Sequence, residues 1–184
     1  MRLIVAVTGA SGVIYGKRLL EVLKEMAAEV HLIISESAEL VIDHELDGPQ
    51  ALARLADHVY EPGDLTAPLT SGSYRVDGMV IIPASMKTIA AIASGYCDNL
   101  ISRAADVQLK ERRPLILVPR ETPLNAIHLE NMAKLSRLGV TILPAMPGFY
   151  HGPETIGDLI DFVVGKVLDQ LGVEHDLYRR WGGG

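Results

Sequence analysis

The stretch Leu3-Ile4-Val5-Ala6-Val7-Thr8-Gly9-Ala10-Ser11-Gly12 decides how the rest of the chain is read. Its five consecutive apolar residues suit a strand buried on both faces, as in the middle of a parallel sheet. The glycine-rich turn after them permits a tight bend. It also leaves free amides at a helix start, where an anion is favoured. A glycine turn alone is weak evidence, and a plain tight turn would look the same. Its place between a buried strand and a helix is what points to a nucleotide or a phosphate.

Outward from that stretch, helices and strands alternate. Leu19, Leu20, Val22, Leu23 and Met26 recur at helical spacing, predicting a helix over 15–28. Val30 to Ile34 reads as a second strand closed by Ser35, and Ser37 is expected to cap a helix over 38–46. A short amphipathic piece covers 51–56. Residues 61–77, with Pro62, Gly63, Pro68 and Gly72, read as a loop long enough to be functional or to cover a partner subunit. Further strands are expected at 79–82, 115–118 and 140–143, with helices at 88–93, 99–111, 125–138 and 156–171. The pattern predicts one α/β domain over residues 1–184. Its architecture is Rossmann-like (flavodoxin-like), a parallel sheet with helices on both faces. No internal repeat is visible.

Composition narrows the function. Lys plus Arg is 17 against 23 Asp plus Glu, a net charge of −6, which argues against nucleic acid as the main partner. The one cysteine, Cys97, excludes an intrachain disulfide and a CxxC site and reads as a small, partly buried thiol. The first apolar run is too short for a signal segment, and no run approaches a membrane span, so a cytoplasmic protein without membrane contact is expected. An apolar fraction of 48% is high for a soluble monomer and suggests a homo-oligomer.

In a parallel sheet, ligands sit outside the carboxyl ends of the strands. That rule selects Gly9 to Gly12, Ser35, Ser85 to Thr88, Arg120 with Glu121, and Pro144 to Tyr150. Ser35 stands where a dinucleotide fold usually carries Asp or Glu for the ribose, which counts against NAD; it is equally well read as a helix cap. No Tyr-x-x-x-Lys pair is present. Ser85-Met86-Lys87-Thr88 offers two hydroxyls and helix amides, chemistry suited to a phosphate and to ordinary capping alike. Arg120 can hold a phosphate or a carbonyl, and a neighbouring Glu121 can move a proton. Tyr150 can donate to a phosphate oxygen, and Phe149 can wall an apolar site. Lys166, at the margin of an apolar helix stripe, suits a snorkelling role as well as a binding one. His128 and His151 could serve as acids or ligands, but no two histidines have short metal-ligand spacing, so no metal is expected.

Five segments, TGASGVIYG at 8–16, VHLIIS at 30–35, LKERRPLILVPRETP at 109–123, HLENMAKL at 128–135 and LPAMPGFYHGP at 143–153, together resemble the UbiX flavin prenyltransferase family. The resemblance runs to Arg179-Arg180-Trp181-Gly182. It implies an enzyme that joins a dimethylallyl group from dimethylallyl phosphate to reduced FMN. The product, prenylated FMN, would serve a UbiD-type decarboxylase, with a place in ubiquinone biosynthesis. Carried over by motif, Gly9, Ala10, Ser11, Ser35, Ser85, Met86, Lys87, Thr88 and Arg120 are implied FMN contacts. Tyr150, Lys166, Arg103 and Lys110 are implied prenyl-phosphate contacts. Ser11, Glu121, Glu45 and Lys110 are implied catalytic groups, and a dodecamer is the implied assembly. Ala84 replaces the cysteine of the more usual PCSxxT, but the hydroxyls remain. Two other readings compete: an FMN-dependent decarboxylase of the same broad fold, and a non-enzymatic flavin carrier.

Overall fold

The apolar runs become the middle of a six-stranded sheet. The computed structural model describes residues 1–182. In chain order the strands are β1 (Arg2–Val7), β2 (Glu29–Ile34), β3 (His58–Tyr60), β4 (Gly78–Ala84), β5 (Leu115–Pro119) and β6 (Thr141–Ile142). The helices are α1 (Val13–Glu25), α2 (Glu36–Glu45), α3 (Gln50–Ala53), α4 (Met86–Ser94), α5 (Leu100–Lys110), α6 (Ala126–Arg137) and α7 (Ile156–Gln170). Every strand pairing is parallel, as the continuous apolar strands demand.

Side chains alternate across each strand, so each strand feeds two cores. Leu3, Val5 and Val7 join Leu19, Leu20 and Leu23 of α1 and Val163, Val164 and Val167 of α7 on one face. Ile4 and Ala6 join Ile89 of α4, Leu100 and Ala104 of α5 and Leu135 of α6 on the other. Each fully buried Leu or Ile contributes about 1.5–3 kcal/mol from its burial. The result is one α/β domain of three layers.

The strand order is β3-β2-β1-β4-β5-β6. This is the order of dinucleotide-binding sheets; without the short edge strand β3 it would be that of flavodoxin. The sequence suggested only five strands, because β3 has three residues and its His58 and Val59 are exposed. It forms because β2 offers an open edge, pairing His31 with His58 and Ile33 with Tyr60. The chain winds outward from β1 to β3, then returns to lay β4 on the other side of β1. That reversal opens a crevice at the carboxyl ends of β1 and β4.

Two local expectations are corrected. The helix after β2 begins at Glu36, and its cap is Ser35, whose hydroxyl accepts from the Ala38 amide at 3.2 Å. Ser37 lies inside the first turn. The 61–77 segment contains a 3-10 turn at Pro68–Thr70 and buries Ala67, Leu69 and Val76 against the sheet. It therefore packs as a cover over the second core.

Candidate active site

A cleft of about 700 Å³ opens at the reversal point, lined by Gly9, Ser35, Glu36, Ser37, Pro62, Gly63, Ser85, Met86, Lys87, Asp98, Asn99 and Glu121. Three helices begin at its wall, capped by Ser35 (α2), Ser85 (α4) and Asn99 (α5). Their first amides bring partial positive charge to the wall, beside the side chains of Lys87, Glu36, Asp98 and Glu121.

The hydroxyls lie in two pairs. Ser35 Oγ is 3.2 Å from Ser37 Oγ, and Ser85 Oγ is 3.1 Å from Thr88 Oγ1. Buried Thr8 fixes the second pair, donating to the Pro83 carbonyl and accepting from the Ser85 amide, both at 2.8 Å. This stitches the end of β1 to the end of β4. Gly9 has no room for a side chain: a Cβ there would collide with Ser37. Gly12 turns the chain into α1 at φ 95°, a conformation that favours glycine.

Arg120 leaves the end of β5 and donates from Nε to the Ser11 carbonyl at 3.2 Å, which ties the β5 edge to the glycine turn. Glu121 faces the cleft, and its carboxylate accepts from the Thr122 amide at 3.0 Å. Both also line a smaller apolar cavity of about 280 Å³ with Leu124, Met132, Pro144 and Met146. Glu45, at the end of α2, accepts from the amides of Gly12 and Val13 at 2.8 and 3.2 Å. A carboxylate thus sits on the first amides of α1, where an anion is favoured.

Gly9, Ser35, Ser85, Met86, Lys87 and Glu121 therefore come together in the cleft, with Ala10, Ser11, Thr88, Arg120 and Glu45 around it. Four expected residues do not join them. Arg103 donates to the Thr70 carbonyl at 3.2 Å and to Asp106 at 2.8 Å, beneath the 61–77 segment. Lys110 pairs with Glu111 at the far end of α5, about 16 Å of helix from Asn99. Tyr150 is packed edge-on against Phe162 and Trp181, with ring centroids 5.7 and 5.6 Å away. Lys166 donates to Asp169 at 3.2 Å.

Asp169 also accepts from Tyr178 at 2.6 Å and from Arg180 at 2.8 Å. Burial opposes its ionisation, but hydrogen bonds from Arg180, Tyr178 and Lys166 outweigh that and hold its carboxyl well below the usual carboxylate range. Around Tyr150, large apolar side chains are left bare: Met146 is 70% exposed, Phe149 71%, Ile156 77% and Trp181 81%.

Sequence reasoning gives no site role to Glu36, Ser37, Asp98 or Asn99 and names Pro62 and Gly63 only as part of a loop, yet all six line the cleft. Asn99 stands at the first position of the helix expected over 99–111, whereas in the structure it is the cap of α5, which begins at Leu100. Ser37 was noticed, but as a cap.

A fold with paired hydroxyls, helix amides and a glycine turn at its switch point defines an α/β protein suited to a phosphorylated ligand. The family described as Flavoprotein matches residues 1–168. The flavin prenyltransferase UbiX of Methanocaldococcus jannaschii is 56% identical over 183 residues, 99% of both chains. Among solved structures, a dodecameric FMN-dependent UbiX-like decarboxylase from Escherichia coli O157:H7 superposes with a TM-score of 0.97 at 52% identity, covering 100% of each chain. AnUbiX (PadA1), solved with FMN and dimethylallyl pyrophosphate, gives a TM-score of 0.97 at 49% identity, covering 100% of this chain and 98% of the other. The chain belongs to the UbiX flavin prenyltransferase family.

The cleft fits FMN. Its volume is within the usual range for a small-ligand site, two hydroxyl pairs and three helix starts suit a phosphate and a polar ring edge, and Gly9 lets the backbone approach closely.

Proposed function

We propose that this enzyme transfers the dimethylallyl group of dimethylallyl phosphate to reduced FMN. Bound reduced FMN supplies the electron-rich acceptor. The C–O bond of the prenyl phosphate breaks, the phosphate leaves with the bonding pair, and a proton lost from the flavin balances the new bond. In this reading Gly9, Ala10, Ser11, Ser35, Ser85, Met86, Lys87, Thr88 and Arg120 hold FMN. Glu121, fixed by the Thr122 amide at the cleft wall, accepts the proton. Ser11 and Glu45, on either side of the α1 amides, keep that corner polar.

The observation that carries the reading is the paired-hydroxyl cleft at the switch point, with Arg120 and Glu121 at its edge. A leaving phosphate also needs cations, and Lys110, Lys166, Arg103 and Tyr150 are the groups for that role. Lys110 lies too far along α5 to reach the cleft of its own chain, and Arg103 is turned to the Thr70 carbonyl and Asp106 instead. We therefore assign them to the cleft of a neighbouring copy in a homo-oligomer. The bare apolar surface around Tyr150 supports such an assembly, and the dodecameric relative supports its size. A cytoplasmic setting, a UbiD-type decarboxylase as recipient, and use in ubiquinone biosynthesis rest on the resemblance. No helix among the described residues is long and apolar enough to cross a membrane.

A decarboxylase reading is supported by the names of two similar proteins, the Escherichia coli relative and a phenylacrylic acid decarboxylase from Aquifex aeolicus that is 45% identical. One anaerobic experiment separates the two: incubate the protein with reduced FMN and dimethylallyl phosphate, then weigh the released flavin by mass spectrometry. A gain of one five-carbon unit is expected. Unchanged flavin, together with turnover of an aromatic acid without any prenyl donor, would overturn the proposal.

A further inference from the structure

At the opposite end of the strands from the cleft, Glu29, His31 and His58 bring their donor atoms within 4.8 Å of one another. Glu29 and His58 each open a strand, β2 and β3, and His31 is the register partner of His58. The 27-residue gap between the histidines hides this neighbourhood, since strand pairing rather than local spacing creates it. We propose that these three side chains form a binding site for a divalent transition cation of the zinc class, separate from the flavin cleft.

The separations suit such an ion. Glu29 Oε1 lies 3.1 Å from His31 Nε2 and 3.7 Å from His58 Nε2. Tetrahedral zinc with bonds of about 2.1 Å sets its donors about 3.4 Å apart. The Tyr74 hydroxyl, 3.3 Å from His31 Nε2, supplies a fourth donor beside the same point. The other ring nitrogen of His31 lies 3.0 Å from the Tyr60 hydroxyl. Such an outer partner fixes the tautomer and aims Nε2 at a metal. His31 is fully buried, so its ring is held, whereas the His58 side chain is half exposed and gives access from solvent. Imidazole and carboxylate donors favour zinc over magnesium or calcium.

Two features oppose the ion in the arrangement seen. The His31 and His58 rings stack with centroids 4.6 Å apart, so their lone pairs run side by side. The half-exposed His58 must turn, and its short edge strand leaves it free to do so. Arg2 Nε sits 2.9 Å from Glu29 Oε1. It already supplies a positive charge there, so an ion must share or displace it. A bound ion would clamp the three-residue β3 and, through Tyr74, the 61–77 cover to the sheet.

The test uses full-length, FMN-loaded protein stripped with a chelator and titrated with Zn2+ by calorimetry and with Co2+ by visible absorption. One equivalent per chain and a tetrahedral Co2+ spectrum are expected. His58→Ala and Glu29→Gln should each weaken Zn2+ binding more than tenfold while keeping FMN affinity. Tyr60→Phe should weaken it about ten- to a hundredfold, as loss of an outer partner does. Zn2+ should raise the Tm of the wild type and leave that of His58→Ala unmoved. Absence of stoichiometric uptake, or wild-type Zn2+ affinity in both His58→Ala and Glu29→Gln, would overturn the proposal.

Discussion

The flavin cleft and the cations proposed for the prenyl phosphate differ in what completes them. The walls of the cleft are tied together by contacts within one chain. Its hydroxyls are capped and paired, Thr8 stitches its floor, and Arg120 ties β5 to the glycine turn. Each cation instead has a partner of its own: Arg103 has Asp106, Lys110 has Glu111 and Lys166 has Asp169. Those partners hold the cations at the surface. Strand topology can build a binding crevice unaided, whereas a ring of cations around a leaving phosphate must be gathered from elements that point away from one another.

The sharpest way to break this contrast is to mix subunits. Lys110→Ala should retain FMN and lose transfer by on the order of a hundredfold, as for a removed transition-state donor. Tyr150→Phe should also be impaired. If the two residues serve one site from different copies, co-assembled variants should recover roughly a quarter of the sites by random pairing. No recovery in the mixed assembly, measured as prenylated flavin formed, would place both residues in the same chain's site.

Arg120→Ala tests the self-contained half. Loss of one charge-assisted hydrogen bond should weaken FMN binding about ten- to a hundredfold, with little change in Tm. Flavin fluorescence quenching measures the first and a melting curve the second. Equal FMN affinity would move the phosphate or ring contact elsewhere.

The smallest effect concerns Asp169, which anchors Lys166. Asp169→Asn should cost about 1 kcal/mol after discounting for solvent screening at exposed Arg180, or roughly 2–4 °C in Tm. The folded carboxyl titrates below its unfolded value, so the contribution is complete above about pH 4 and is lost as pH falls through the lower native value. The gap between wild type and variant in melting curves should be constant near neutrality and shrink on acidification. A gap independent of pH would mean that packing, not charge, is what the carboxylate provides.

The uninterrupted run Leu3 to Val7 reads as a central parallel strand, because alternation puts three apolar residues on one face and two on the other, and leaving either face bare is costly. With the helical spacing of the segments between strands, it determined the layered α/β fold and the edge of the sheet where ligands bind. It therefore also placed Ser35, Ser85 and Arg120 at the cleft. Three features were decided only by the tertiary structure. β3 exists because the β2 edge was open, not because His58-Val59-Tyr60 prefers a strand. Ser35 rather than Ser37 caps α2, because the helix begins as soon as β2 leaves the sheet, a boundary that residue type alone does not mark. His31 meets His58, and Lys110 parts from the cleft, through strand register and helix direction. Local sequence reports a residue's surroundings along the chain, whereas proximity between distant residues is set by how whole elements pack.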